Sequence, residues 1–255
     1  MAADRTLISI RERRQVDLLD LALVVVRRRP LTIGLAAGGG VLPFLVLNAW
    51  RFQVAEEAAP ALALFLWWFE APLALAPLTV VLGGMMFGRT PAPGAVARRV
   101  GASAGTLVLA HGLFRFIPLY WLPPRLMFAN EMILLEHSGP GKLWKRGADL
   151  GGGRDGDLFL FALFQALGTW ATATFAYLAI GRLMQAVLVE KMTWALPDLA
   201  HLAGLGYQLL LWACGVFMGV VRFLTYIDQR IRLEGWEIKL RLHAAGEAMG
   251  EGRRW

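Results

Sequence analysis

Three ionisable side chains fall inside or at the edge of apolar stretches of the sequence. They are Glu70, Arg115 and Glu131, and Asn130 lies beside the last. Charged groups at membrane depth face a bundle interior and are often part of ion, proton or lipid pathways. Arg115 and Glu131 belong to segments joined by a proline turn, so they can pair. Two roles stay open for this candidate intramembrane polar site: an ion pair that fixes helix register, or a binding site for an ion or a lipid headgroup.

Other residues that could bind a metal or act as a nucleophile do not have the spacing of a known metal-binding or catalytic motif. The histidines form no HxxxH, HExxH or Cys/His arrangement, so we expect no metal and no cofactor. They are His111, His137, His201 and His243. Ser103 in GASAG lacks the strand–turn–helix context of a nucleophile elbow. The sequence therefore predicts no catalytic residues and a protein that is not an enzyme.

The glycine-rich stretch GADLGGGRDGD, residues 147–157, could suggest a phosphate or Ca²⁺ loop. It lacks the GxxxxGK[ST] pattern of a P-loop, and its acidic residues do not have EF-hand spacing. Glycines at 151–153 are typical of a helix end. Asp155 and Asp157 would then lie at the start of the next helix, where negative charge is favourable.

Composition places the chain in a membrane. Of its 255 residues, 57% are hydrophobic, the mean hydropathy is +0.51, and the apolar residues come in blocks. A helix needs about 20 such residues to cross a bilayer. We predict an all-α, polytopic helical membrane protein with about six transmembrane helices. Their approximate ranges are residues 31–50, 69–88, 100–117, 122–135, 158–180 and 199–221.

The basic residues predict the orientation of these spans. With the N-terminus inside, the inner segments hold 21 of the 26 lysines and arginines, and such residues favour the cytoplasmic side. Both termini are then cytoplasmic. The predicted divisions are a cytoplasmic or interfacial segment (1–30), a helical membrane domain (31–221) and a cytoplasmic amphipathic tail (222–255). The net charge of +7 suits an anionic lipid surface, and no motif indicates nucleic-acid binding.

The segment TYIDQRIRLEGWEIKLR, residues 225–241, is charged although it directly follows an apolar span. On a helix, five apolar residues share one face: Leu224, Ile227, Ile231, Ile238 and Leu242. Asp228–Arg232 and Glu237–Arg241 have the i, i+4 spacing of favourable ion pairs. The pattern favours a surface lock or a docking strip over a reactive site.

Two segments resemble a known group of proteins. The stretch LLEHSGPGKLWKRGADLGGG resembles a loop of bacterial proteins similar to the membrane domain of glycerophosphoryl diester phosphodiesterases, with Gly147 at the usual serine. The matching residues of this loop are Glu136, Arg146, Leu150 and Gly153. The end YIDQRIRLEGWEIKL resembles the Y-x-D-x-R-[IV]-R-x-E-G-x-[DE]-[IL] tail of the same group. The candidate docking tail consists of Tyr226, Asp228, Arg230, Arg232, Glu234, Gly235 and Trp236.

The resemblance implies a six-span membrane domain with a cytoplasmic tail in a bacterial inner membrane, and planctomycete members are similar in FEAPLALAPLTVVLGGMMFG. It does not imply phosphodiesterase activity, which would belong to a separate soluble domain. Members are often encoded near MoxR-type ATPases and transglutaminase-like membrane proteins, which suggests an accessory subunit.

The predicted function is a non-enzymatic integral membrane subunit that scaffolds or anchors a membrane-associated assembly. Its expected partners are the lipid bilayer and other membrane or cytoplasmic protein subunits. The alternative is a transporter or lipid-handling protein that uses the intramembrane polar site, since its second and fourth spans resemble interrupted transporter helices.

Overall fold

A computed structural model describes residues 15–54, 59–86, 88–113, 126–188 and 204–234. Every regular element in these ranges is helical, which confirms the all-α prediction. The helices are α1 (Gln15–Arg28), α2 (Pro30–Val54), α3 (Ala59–Ala74), α4 (Ala76–Met86), α5 (Pro93–Val108), α6 (Ala129–Leu134), α7 (Pro140–Gly151), α8 (Asp155–Leu188) and α9 (Leu205–Glu234). A π-helical turn, Leu109–Leu113, extends α5.

Within the described ranges, four helical segments are long and apolar enough to cross a bilayer. They are Pro30–Arg51, Phe65–Met86, Asp155–Val187 and Leu205–Leu233. They correspond to the first, second, fifth and sixth predicted spans, so the chain is a helical membrane protein. The third and fourth predicted spans include residues 114–125, which lie outside the described part. The count of six therefore stays a prediction.

The central helix of the bundle is α9. The antiparallel helix α8 contacts it through a hydrogen bond from Gln165 Nε2 to the Met218 carbonyl and a 3.2 Å contact between the hydroxyls of Thr174 and Tyr207. Helices α3 and α4 run parallel to α9, because Trp67 lies against Gly215 and Leu75 against Gly219. The short helix α1 also packs along α9. The C-terminal half of α9 is thus surrounded by the chain's own helices.

The outer helices α2 and α8 expose large apolar side chains. A water-soluble surface would not carry so many, whereas hydrocarbon chains of lipid are as apolar as leucine. In a bilayer these side chains would contact acyl chains. On α2 they include Leu31, Leu35, Leu42 and Val46, and on α8 they include Leu160, Phe164, Leu167, Phe175, Leu183 and Val187.

Helix α7 ends where the sequence predicts it. Gly152 has φ 53° and Gly153 has φ 79°, a left-handed conformation that glycine adopts without steric cost. Helix α8 then begins at Asp155, with Asp155 and Asp157 in its first turn. Both features of the glycine-rich stretch are confirmed.

Helix α9 continues without interruption through residue 222, which the sequence predicted as the first residue of a cytoplasmic tail. Tyr226, Ile227 and Ile231 are buried in the main hydrophobic cluster. Asp228 and Gln229 are also buried. The apolar face that we expected on a cytoplasmic tail is therefore, as far as residue 231, part of the core.

Close packing between α2 and the end of α3 depends on Gly40. A Cβ atom added there would lie 1.9 Å from the Ala74 carbonyl oxygen, and a backbone atom cannot move aside cheaply. We predict that Gly40→Ala lowers the free energy of unfolding by roughly 1–3 kcal/mol or more. Gly38→Ala is the matched control, because no atom of the described residues lies within 4 Å of its Cβ position. Thermal unfolding in detergent tests this, and equal stability of both variants would contradict the packing.

Candidate functional site

Three carboxylates that lie inside the protein each contact an arginine. Glu70 on α3 faces α2, Glu131 on α6 faces α9, and Glu136, just after α6, faces α7 and α9. A charge removed from water is costly unless a partner and hydrogen bonds compensate it. These contacts therefore tie helices together that apolar packing alone would leave free to slide.

The contact at Glu70 uses both of its carboxylate oxygens. Asn48 Nδ2 donates to Oε2 at 2.7 Å, and Arg51 Nη1 donates to Oε1 at 2.7 Å. The two donors are three residues apart on α2, so one turn of that helix presents both. Glu70 and Asn48 are buried, whereas Arg51 is partly exposed. This member of the predicted polar site is hydrogen-bonded at each oxygen.

The contact at Glu131 has fewer hydrogen bonds than the contact at Glu70. Glu131 is fully buried, and Arg222 Nε donates to its Oε1 at 3.2 Å. Glu131 Oε2 and Arg222 Nη2 are both buried, and neither has a hydrogen-bond partner among the residues that the structure describes. Arg115 lies outside the described residues, so its predicted pairing with Glu131 stays a prediction. The structure instead gives Glu131 a partner on α9.

A polar contact without a carboxylate joins three elements close to Glu131. Asn130 Nδ2 donates to the Pro72 carbonyl at 2.6 Å, and its Oδ1 lies 2.8 Å from His111 Nε2. All three groups are buried. His111 sits on the π-helical turn, a local departure that often occurs near functional sites. The contact links α3, the end of α5 and α6.

The largest cluster surrounds Glu136. Arg146 on α7 donates two hydrogen bonds to the carboxylate, from Nε to Oε2 at 2.5 Å and from Nη2 to Oε1 at 2.8 Å. The Tyr226 hydroxyl donates to Oε1 at 2.6 Å. Arg230 Nη1 lies 3.6 Å from the same oxygen and donates to the Tyr226 hydroxyl oxygen at 3.2 Å. One carboxylate thus joins α7 to two successive turns of α9.

The surroundings of Glu136 also change its acidity. Burial alone would raise the pKa of this carboxyl. Hydrogen bonds from Arg146 and Tyr226, together with the charges of Arg146 and Arg230, outweigh burial, so the pKa lies below its ordinary value of 4.5. Glu136 is therefore an ionised acceptor at neutral pH.

The two segments that carry the family resemblance are brought together by this cluster. Glu136 and Arg146 belong to the loop segment, and Tyr226 and Arg230 belong to the tail segment. Leu150 is buried, while Gly153 is an exposed helix-end glycine. Such contacts give a physical reason for the two segments to occur in one chain.

The other predicted tail residues divide between the described and undescribed parts. Arg232 Nε donates to Asp228 Oδ2 at 2.7 Å, which confirms the predicted i, i+4 pair. Glu234 is the last residue of α9. Gly235 and Trp236 lie outside the described residues.

Sequence reasoning missed three of the donors: Asn48, Arg51 and Arg222. Arg222 carried a usable signal, because Arg222, Tyr226 and Arg230 are spaced four residues apart and share one helix face. Asn48 and Arg51 carried no comparable signal, since they stand near the end of an apolar span and their acceptor lies on another helix.

The contacts of Glu70, Glu131 and Glu136 fix helices relative to one another. Among the described residues, no group of three or more His, Cys, Asp or Glu side chains could hold a metal ion. The fold and these contacts define a helical membrane protein with buried carboxylate–arginine contacts. Comparison of the chain with protein-family models, curated proteins and solved structures gives no match. The resemblance to the phosphodiesterase membrane-domain group therefore stays a prediction.

A double-mutant cycle tests the Glu131–Arg222 contact. Glu131→Ala leaves the arginine without its carboxylate, and breaking a buried pair costs roughly 3–5 kcal/mol. Adding Arg222→Met should recover part of this loss, because the second charge is then removed too. Thermal unfolding of the two single variants and the double variant gives the coupling. Strictly additive losses would contradict the pair.

The Glu136 cluster predicts a pH-dependent stability. Because its pKa in the folded protein is lowered, the cluster stabilises the fold above the ordinary value of 4.5 and loses this effect as pH falls through the lower folded value. Glu136→Gln should therefore unfold at a lower temperature than the wild type near pH 7, and the difference should shrink as the pH falls below 4.5. A difference that stays constant or grows on acidification would contradict this account.

Proposed function

We propose that the chain is a non-enzymatic integral membrane subunit that scaffolds or anchors an assembly at the bacterial cytoplasmic membrane. The observation that supports this proposal is that Glu70, Glu131 and Glu136 form contacts between helices. Each carboxylate contacts an arginine of the same chain and joins two or more helices. Charged groups committed to internal contacts fit a rigid platform better than a reactive centre.

The proposed orientation has both termini in the cytoplasm and six spans. Exposed basic side chains gather at the end of the bundle where α9 finishes, and lysine and arginine favour the cytoplasmic side. Helix α2 begins at this end, because it runs antiparallel to α3. The gathered residues are Arg27, Arg28, Arg29, Arg89, Arg98, Lys142 and Lys145. At the opposite end, Arg182 is exposed.

The docking surface in this proposal begins at the last described turn of α9. Tyr226 and Asp228 are buried inside the chain, so a partner would not reach them without unfolding the helix. Leu233 is exposed at the last turn, and Gly235 and Trp236 follow it in the sequence. We assign partner contact to this stretch. The expected partners are other membrane or cytoplasmic protein subunits.

A second candidate function is a transporter or lipid-handling protein. The contact between Glu131 and Arg222 favours it, because one buried acceptor and one buried donor there have no hydrogen-bond partner in the described part of the chain. A buried polar atom without a partner is costly and is often explained by a ligand or water. The neighbouring π-helical turn fits the same view.

Pull-down of the tagged chain in mild detergent tests the scaffold proposal. We expect specific protein partners with the full chain. Deletion of residues 235–255 should reduce their recovery while the yield in the membrane fraction is maintained, since the deletion removes none of the four candidate membrane-spanning segments found in the described residues. Glu131→Gln is the matched control, because it alters the buried contact and leaves the proposed docking stretch intact.

Recovery of the chain alone at every expression level would contradict the scaffold function. Unchanged partner recovery after the deletion would instead place docking elsewhere on the chain. Specific loss of transport or lipid movement in the Glu131→Gln variant, with normal folding, would favour the second candidate.

A further inference from the structure

The corner between α1 and α2 carries three exposed arginines in succession, Arg27, Arg28 and Arg29. They lie at the point where the chain enters its first candidate span at Pro30. An arginine binds phosphate oxygens with two parallel hydrogen bonds, which a lysine cannot do. The corner is therefore suited to an anion at the level where the chain enters the bilayer.

Helix α1 presents apolar and cationic side chains next to each other. Its described part has 14 residues, which extend about 21 Å. Its buried side packs along α9, while Leu23 and Val24 are exposed beside the arginines. Exposed apolar side chains next to exposed cationic ones are typical of helices that lie among lipid headgroups.

Below the arginines, the outward face of α2 forms a shallow apolar furrow. Gly34 and Gly38 form its floor, and among the described residues no atom lies within 4 Å of either Cβ position. Leu31, Leu35 and Leu42 stand beside them and are exposed. The spacing of these five residues keeps them on one face. The furrow follows the arginines directly along the chain, and no side chain of the described residues fills it at these two glycines.

We propose that this corner binds an anionic phospholipid of the surrounding leaflet. The arginines hold its phosphate and headgroup, and an acyl chain lies along Gly34 and Gly38. Charge complementarity favours this occupant over a second copy of the chain. A parallel pair packed on the same glycines would bring two arginine triplets together, and like charges in a region of low dielectric repel.

Native mass spectrometry of the detergent-purified protein tests the headgroup contact. The probes are palmitoyl-oleoyl phosphatidylglycerol and palmitoyl-oleoyl phosphatidylcholine, which differ in net charge. The wild type should bind phosphatidylglycerol more tightly. In the triple variant Arg27→Gln/Arg28→Gln/Arg29→Gln this preference should fall on the order of a hundredfold. Each lost charge contributes a factor of about five, and the three factors multiply.

Two variants control this comparison. Arg182→Gln removes an exposed arginine at the opposite end of the bundle and should leave the preference unchanged. The triple lysine variant keeps the charge and should retain most of the preference, while both lipids bind more weakly because the paired hydrogen bonds to their phosphate are lost. A triple glutamine variant that folds normally and still prefers phosphatidylglycerol as strongly as the wild type would overturn the proposal.

A further variant, Gly38→Leu, places an apolar side chain in the furrow, starting from a Cβ position with no described atom within 4 Å. We expect weaker binding of both lipids and an unchanged oligomeric state in light scattering coupled to size-exclusion chromatography. If the wild type is instead a dimer, Gly38→Leu makes it a monomer, and lipid binding is unaffected, then the furrow is an interface between copies and the lipid proposal is wrong.

Discussion

The contacts between arginines and carboxylates along one face of α9 constrain the rest of the bundle. Arg222, Tyr226 and Arg230 follow one another at intervals of four residues, and together they contact Glu131 and Glu136. Inside a protein the effective dielectric constant is low, so separating such a pair leaves an uncompensated charge. The short helix α6 and the amphipathic helix α7 are thereby fixed to α9.

This constraint explains how a chain with broken helices keeps one arrangement. Between apolar helices in lipid there is little hydrophobic driving force, so close packing and polar contacts must supply the specificity. Gly40 lets α2 approach Ala74, and Glu70 then accepts hydrogen bonds from the same helix two turns further on. The outward faces of α2 and α8 are left for lipid.

The sequence predicted well those features that depend on neighbouring residues. The helix end at Gly152, the start of α8 at Asp155 and the Asp228–Arg232 pair all follow from short-range rules. The long-range partners did not, because Glu131 and Arg222 are 91 residues apart and Tyr226 is 90 residues from Glu136. The charged residues after residue 221 suggested a cytoplasmic tail. Nothing in the local pattern revealed that Glu136, in a loop 90 residues away from Tyr226, would contact Tyr226 and Arg230. Whether a segment so rich in charge is buried depends on its partners.

Helix α9 runs unbroken to Glu234, it is largely buried as far as Ile231, and its charged residues hold the bundle together. Hydrogen–deuterium exchange of the full chain in detergent or nanodiscs measures this burial residue by residue. We expect backbone amides of residues 222–231 to be protected as strongly as those of the apolar half of α9, and Glu136→Gln to speed their exchange. Rapid exchange from residue 222 onward in the wild type, as expected of a solvated tail, would contradict this burial.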